Sequence, residues 1–418
     1  MMVTNQVGSS GGNDPVNNVN ECQGGVTAPQ GFLTAGMYCG IRKAKKDIAM
    51  IYSEVPATVA GVFTLNKTQA APILVDKVQL KRSSLCSAIV INSGNANACT
   101  GERGLNDAWQ MVKSAAEALN VPEERIMVSS TGVIGQYMPM EKIVPAIGEL
   151  VKNLNREGNK DTAEAIMTTD TYPKEMAVRV MLGTSVVTIG GVAKGSGMIA
   201  PNMATMLAFV TTDIAISQSL LATALVAANK RSFNRITVDG DMSTNDQVLI
   251  LANGAAKNAP FSEHSEEFRL FAAALEYVLI KLAKMIARDG EGATKLIEIV
   301  VKGAASEDEA AQAARAVANS NLVKTAIHGA DANWGRVLAA VGYSGIDFNP
   351  DHVEISFGDL PILKKNYDIV LDEEKAKAIL SQEDVVISID LNQGNQAARF
   401  WTCDLTKEYV HINASYRS

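Results

Sequence analysis

Residues 185–213 read SVVTIGGVAKGSGMIAPNMATMLAFVTTD. The stretch opens as a β-branched run, SVVTIGGVAKGSG (185–197), that dissolves into glycines. It closes as MLAFVTTD (206–213), an apolar strand whose start abuts a Gly-Pro-Asn-rich segment. The same grammar recurs outward in both directions. SAIVIN (87–92) is a short apolar run ending in Gly and Asn, hence a buried strand. In GLNDAWQMVKSAAEALN (104–120), Leu105, Ala108, Trp109, Val112, Ala116 and Leu119 fall on one helical face. RIMVSS (125–130) reads as the next strand, and 140–155 and 158–167 read as helices, with Pro145 a flaw in the first.

Beyond residue 213, ISQSLLATALVAANKRSF (216–233) is helical by spacing. The longest helix is expected over 263–288, with Phe268, Phe271, Leu275, Val278, Leu279, Leu282 and Ile286 inward. TKLIEIVVKG (294–303) is a strand, and Ser306 with Glu309 forms an S-x-x-E capping box before another helix. From 350 onward VEISF, DVVISIDL, RFWTCDL and EYVHINA read as strands. Strands and helices alternate irregularly, with no repeat at a solenoid period. The pattern predicts an α/β layered protein with helices covering sheets.

Composition bounds the function. The chain has 418 residues, against about 100–200 for a usual domain. Two lobes or one large layered unit are therefore expected. Apolar residues make up 47% and charged ones 20%, enough for a core and too apolar for a disordered chain. A net charge of −7, without a basic block and with few aromatics, makes nucleic acid a poor partner. The apolar run at 271–287 carries Glu276, Lys281 and Lys284, so it reads as a soluble helix and not as a membrane span. Residues 1–20, rich in Gly, Asn and Ser, lack the features of a secretory signal or transit peptide and read as a flexible tail. Five cysteines without a CxxC argue against a disulfide framework or zinc ribbon, and a cytoplasmic location fits. The four histidines form no metal-binding pair, so no metal is expected.

Six small, polar, glycine-bearing stretches flank strands. They are NSGNANACTG (92–101), SSTGVIG (129–135), KGSGMIAPNMATML (194–207), TVDGDMSTND (237–246), RDGEGATK (288–295) and HGADANWGR (328–336). Singly, each is an ordinary turn. Together, rich in Asn, Asp and Thr, they suggest loops converging on a pocket. No P-loop, GxGxxG or GxSxG pattern occurs, which disfavours nucleotide binding and a nucleophile-elbow hydrolase.

Thr205 stands directly before a strand and directly after the Gly-Pro-Asn loop. On its own that is an ordinary strand-start residue. A threonine hydroxyl is a weak nucleophile unless a base lies beside it. A chain cut on its amino side supplies that base as the residue's own α-amine, whose usual pKa of about 7.7–8.0 suits neutral pH. The cut can be self-catalysed, by attack of the hydroxyl on the Ala204 carbonyl and hydrolysis of the resulting ester.

KGSGMIAPNMATML resembles the cleavage-site motif of the ornithine acetyltransferase family, the N-terminal-nucleophile-like acyltransferases of arginine biosynthesis. GGVTAPQGF (24–32), NSGNANACTG, SSTGVIG, IMTTDTYPK (166–174), FNRITVDGDMSTND, ARDGEGATK, HGADANWGR and the ending INASYRS resemble family segments in the same order, from about residue 24 to the C-terminus.

The resemblance implies a sandwich of stacked mixed sheets, self-cleaved between Ala204 and Thr205 into an α chain (21–204) and a β chain (205–418). It implies Thr205 as nucleophile, Thr131 and Gly132 as the oxyanion pair, and substrate contacts at Lys194, Thr205, Glu291, Asn413 and Ser418, with Thr171 preferred to Thr169 from TTDT. The family often ends in Thr; Ser418 keeps the hydroxyl. The implied reaction moves acetyl from N-acetylornithine to glutamate through acetyl-Thr205, without metal or redox cofactor. Acetyl-CoA is a further possible donor, and an α2β2 assembly is implied. An amidohydrolase or aminopeptidase of similar architecture is the runner-up, and a non-catalytic binding protein a third reading.

Overall fold

The computed structural model describes residues 19–200 and 206–415. Ala204, Thr205 and Ser418 lie outside the described residues, as do residues 1–18 of the expected tail.

The first unit is built on one nine-stranded sheet. Its strands are β1 (Val19–Cys22), β2 (Phe32–Met37), β3 (Ile48–Phe63), β4 (Leu85–Asn95), β5 (Ile126–Val133), β6 (Lys174–Leu182), β7 (Ser185–Lys194), β8 (Leu207–Thr212) and β9 (Gln247–Ala252). The order is β1-β6-β7-β8-β9-β3-β4-β5, with β2 also on β3. β3 is the hinge. Its register with β4 shifts between Tyr52 and Ala57; its first half also pairs with β2 and its second half with β9.

The bend folds the sheet on itself. Side chains alternate across a strand, and the alternation here sorts residues into separate cores. Ala193, Ala208, Val210 and Ile250 pack outward under α5 (Gln218–Arg231) and α6 (Glu266–Arg288). Ala88, Val90, Ile126 and Val128 pack outward under α1 (Ala71–Arg82), α2 (Gly101–Leu119) and α3 (Met140–Lys152). Their neighbours Ile89, Ile91, Met127, Val192, Leu207, Phe209, Leu249 and Leu251 meet in one shared inner core, with Ala163 and Ala165 of α4 (Asn159–Ala165) at its side. The result is a helix–sheet–sheet–helix sandwich, the layered α/β architecture expected. In α6 all seven apolar residues expected inward are buried, each worth about 1.5–3 kcal/mol. Ser265 caps that helix by accepting from the Phe268 N–H at 3.1 Å.

The second unit follows α6. Its sheet runs β13-β12-β11-β14-β10-β15, from β10 (Leu296–Ala304), β11 (Glu354–Phe357), β12 (Leu360–Lys364), β13 (Asp368–Ile369), β14 (Asp384–Asp390) and β15 (Gln396–Cys403). α7 (Glu307–Asn319), α8 (Asn321–His328), α9 (Trp334–Gly342) and α10 (Glu373–Leu380) cover it. Half of the capping box before α7 is realised: Ser306 Oγ accepts from the Glu309 N–H at 3.2 Å, while Glu309 Oε2 has no hydrogen-bond partner among the described residues.

EYVHINA, expected as a strand, is instead helix α11 (Lys407–Ala414). Thr406 caps it, accepting from the N–H groups of Glu408 and Tyr409 at 3.2 and 3.4 Å. The β-branched Val410 and Ile412 suggested a strand, but no residue of the helix is buried, so no sheet face was there to be filled.

Candidate active site

β5, β7, β8 and β9 bring their ends to one edge of the sandwich. Lys194 closes β7 opposite Leu207, which opens β8, and Leu207 is level with Gln247 at the start of β9. Loops from these ends enclose a cavity of about 250 Å³. Thr131, Gly132, Val133 and Ile134 line one side, with Ala96 beside them. Lys194, Gly197 and Met198 come from the end of β7, Ser243, Thr244 and Asn245 from the approach to β9. Thr168, Thr169, Glu291 and Asn413 complete it. Five of the six glycine-bearing stretches converge here. The sixth, HGADANWGR, joins α8 to α9, where Asn333 caps α9 by accepting from the Arg336 N–H at 3.2 Å.

The Asn, Ser and Thr content of these loops is their scaffold. Asn245 Nδ2 donates to the Ala96 and Ser130 carbonyls at 2.6 and 2.9 Å, tying the ends of β4 and β5 to the entry of β9. Ser130 Oγ donates to Asn92 Oδ1 at 2.6 Å. Gly132 is held at φ +135°, and a Cβ on it would lie 2.3 Å from the Gly94 carbonyl carbon. Only glycine lets β4 and β5 approach this closely while Thr131 faces the cavity. Gly197 serves a second close approach, since a Cβ there would lie 2.3 Å from the Glu291 carboxyl carbon.

Lys194 and Glu291 are the only charged groups among the described residues lining the cavity. Lys194 is buried; its Nζ donates to Thr168 Oγ1 at 2.8 Å and reaches Thr131 Oγ1 at 3.5 Å. Burial lowers its pKa, opposed first by Asp170. Glu291 accepts from Asn413 Nδ2 at 2.8 Å, and its N–H donates to the Ser196 carbonyl at 3.0 Å. Tyr409 and Asn413, four residues apart on α11, turn one helical face inward: Tyr409 Oη donates to Asp239 Oδ2 at 3.3 Å.

Thr131, Gly132, Lys194, Glu291 and Asn413 are thus brought together. Thr171 stands behind the wall: its N–H donates to Asp289 at 3.0 Å and its hydroxyl bonds the same carboxylate, while Thr168 and Thr169 line the cavity. Sequence reasoning missed a buried ionic network behind the site. Lys174 Nζ donates to Asp170 at 2.7 Å and Asp289 at 2.5 Å, all three buried. The spacing of Asp170 and Lys174 within DTYPK was the available signal. It also missed Asp246, wholly buried at the start of β9, whose carboxylate oxygens have no hydrogen-bond partner among the described residues. Burial raises its pKa well above the usual carboxylate range, opposed in part by the Lys194 charge. No group of His, Cys, Asp or Glu side chains among the described residues has the makings of a metal site. No helix among them is long and apolar enough to cross a membrane.

Sequence comparisons with known proteins point to one family. The model of the ArgJ family matches residues 33–418. The arginine biosynthesis bifunctional protein ArgJ of Symbiobacterium thermophilum is 54% identical over 398 residues, covering 94% of this chain and 99% of the relative. That of Caldanaerobacter subterraneus subsp. tengcongensis is 49% identical over 399 residues, covering 94% and 99%. Among solved structures, the ornithine acetyltransferase of Mycobacterium tuberculosis complexed with ornithine is 36% identical, with a TM-score of 0.41, and covers 44% of this chain and 98% of its own.

Proposed function

Because the chain belongs to the ArgJ family, we propose that its cavity transfers acetyl groups through Thr205, freed as the first residue of a second polypeptide. The protein is an enzyme of arginine biosynthesis, an ornithine acetyltransferase. The chain cuts itself between Ala204 and Thr205, and the two pieces stay together, two copies forming an α2β2 assembly in the cytoplasm.

The Thr205 hydroxyl attacks the acetyl carbonyl of N-acetylornithine while its α-amine takes the proton. The Thr131 hydroxyl and the Gly132 N–H stabilise the oxyanion; one such donor is worth about 3–4 kcal/mol of barrier. The amide C–N bond breaks, the proton passes to the departing nitrogen, and ornithine leaves. The glutamate amine then attacks the acetyl-Thr205 ester, giving N-acetylglutamate and restoring the hydroxyl. Acetyl-CoA enters as a second donor to the same hydroxyl, which makes the enzyme bifunctional. No cofactor takes part in these steps.

One observation carries the substrate assignment: among the described residues, the cavity is lined by a single buried cation, Lys194, and a single buried acidic residue, Glu291. Both substrates are amino acids carrying a carboxylate and an amine. Lys194 takes the carboxylate, and Glu291, oriented by Asn413, takes an ammonium group. Ser418 adds a hydroxyl contact, and Thr171 acts on the site through Asp289.

The test follows the acetyl group and the chain together. Purified protein given N-acetylornithine and glutamate is expected to form N-acetylglutamate, with acetate a minor product; mostly acetate identifies the hydrolase reading instead. Intact-mass analysis is expected to find two fragments meeting at Thr205, and Thr205→Ala to remain uncut and inactive. Active protein consisting only of full-length chain sinks the scheme.

A further inference from the structure

Lys194 can hold a substrate carboxylate only as a cation, and its surroundings pull both ways. Four charged or titratable groups face it: Asp170 from the loop before β6, Lys174 at the start of β6, Asp246 at the entry to β9, and Glu291 from the loop after α6. Burial and Lys174 work against its proton, while Asp170, Asp246 and Glu291 favour it, Asp170 most.

Asp170 does more than sit nearby. Its Oδ2 lies 3.9 Å from Lys194 Nζ and accepts from the Thr168 N–H at 2.9 Å. Its Oδ1 accepts from the Gly195 N–H at 2.7 Å. One carboxylate therefore fixes the residue whose hydroxyl receives the Lys194 ammonium, the residue bonded to Lys194, and the sign of the charge between them. Its own place is fixed in turn by Lys174, which Asp289 holds from the other side at 2.5 Å. The same network seats the opposite pole of the cavity. Ser196 Oγ donates to the Asp289 carbonyl at 2.6 Å, and the Ser196 carbonyl receives the Glu291 N–H.

We propose that Asp170 is a positioning residue for the acetyl transfer, holding the Lys194 ammonium as a cation at the cavity wall so that the substrate carboxylate meets a fixed positive group. The inference rests on the substrate reading above. Asp170 touches no substrate; it acts through Lys194.

The experiment compares N-acetylornithine with N-acetylputrescine, which is the same donor without its carboxylate. The wild-type enzyme is expected to prefer N-acetylornithine in kcat/KM, with the preference lost at basic pH as Lys194 gives up its proton. In Asp170→Asn the preference falls by about tenfold or more, and the basic limb of the N-acetylornithine profile moves to lower pH by about one unit or more. Self-cleavage and melting temperature serve as fold controls. Damage that is merely structural lowers both donors alike and leaves the limb in place.

Lys174→Met keeps the test decisive if Asp170→Asn does not fold. It leaves the Asp170 carboxylate to Lys194 alone and removes a repelling cation, so the limb moves to higher pH. A wild type indifferent to the donor carboxylate refutes the substrate reading. A wild type that discriminates, with neither variant shifting the ratio or the limb, refutes the role of Asp170 alone.

Discussion

At Thr131 and Gly132 two neighbouring residues carry different kinds of constraint, and substitution should separate them. The Thr131 side chain is replaceable without moving the backbone, because among the described residues its hydroxyl has only the 3.5 Å approach of Lys194 to lose. Thr131→Val is therefore expected to fold normally and to lower kcat by about 10²-fold or more with little change in KM, the pattern of an interaction made in the transition state. Gly132→Ala meets the Gly94 backbone at a φ of +135°. It should cost stability as well, about 1–3 kcal/mol of strain, and lower both the melting temperature and kcat. Steady-state kinetics beside thermal unfolding reads both. Equal loss of stability in the two variants argues that the pair is a turn and not an oxyanion site. These residues were reached through the resemblance of SSTGVIG to its family segment, since the stretch read alone is an ordinary turn. The network of Asp170, Lys174 and Asp289 was not: Asp170 and Lys174 stand four apart, but Asp289 joins them across more than a hundred residues, and a charged side chain in isolation reads as solvated surface.

Elements were legible where local chemistry and tertiary demand agree. The runs at β4, β5, β7, β8 and β10 are apolar and short, and their neighbours cap or break them. α7 was announced by Ser306, whose removal is the simplest check on that reading. Ser306→Ala should cost about 1 kcal/mol and lower the urea midpoint measurably, because the Glu309 N–H at 3.2 Å would lose its acceptor. An unchanged midpoint would mean that water replaces the cap without loss. α11 went the other way. Its Val410 and Ile412 carry strand propensity, while the helix is fixed by the Thr406 cap and by Tyr409 and Asn413 reaching Asp239 and Glu291 across the chain. β3 was the hardest to read. Its two halves serve different partners, and the register shift between Tyr52 and Ala57 that bends the sheet leaves no periodic trace in IAMIYSEVPATVAGVF.

At the scale of the whole molecule the position of the proposed cut is telling. It falls between β7 and β8, which are neighbours in the sheet: Ile189–Lys194 pairs along its length with Leu207–Thr212. Val59–Phe63 likewise pairs with Gln247–Leu251 across the bend. The inner core mixes Ile89 and Ile91 with Phe209 and Leu249, and Lys174 meets Asp289 in a buried ion pair. The two pieces thus share a sheet, a core and a charge network, and breaking one peptide bond removes none of these contacts. They should co-elute under native conditions and separate only in denaturant. What the cut does remove is the covalent tether that makes their first encounter intramolecular. Refolding of the cut protein after urea should therefore become a meeting of two chains, with a yield that rises with protein concentration. The uncut Thr205→Ala chain should refold with a yield independent of concentration over the same range. Equal, concentration-independent recovery of both would mean that the pieces never part in urea, and would place the cohesion of the sandwich in a contact that survives unfolding.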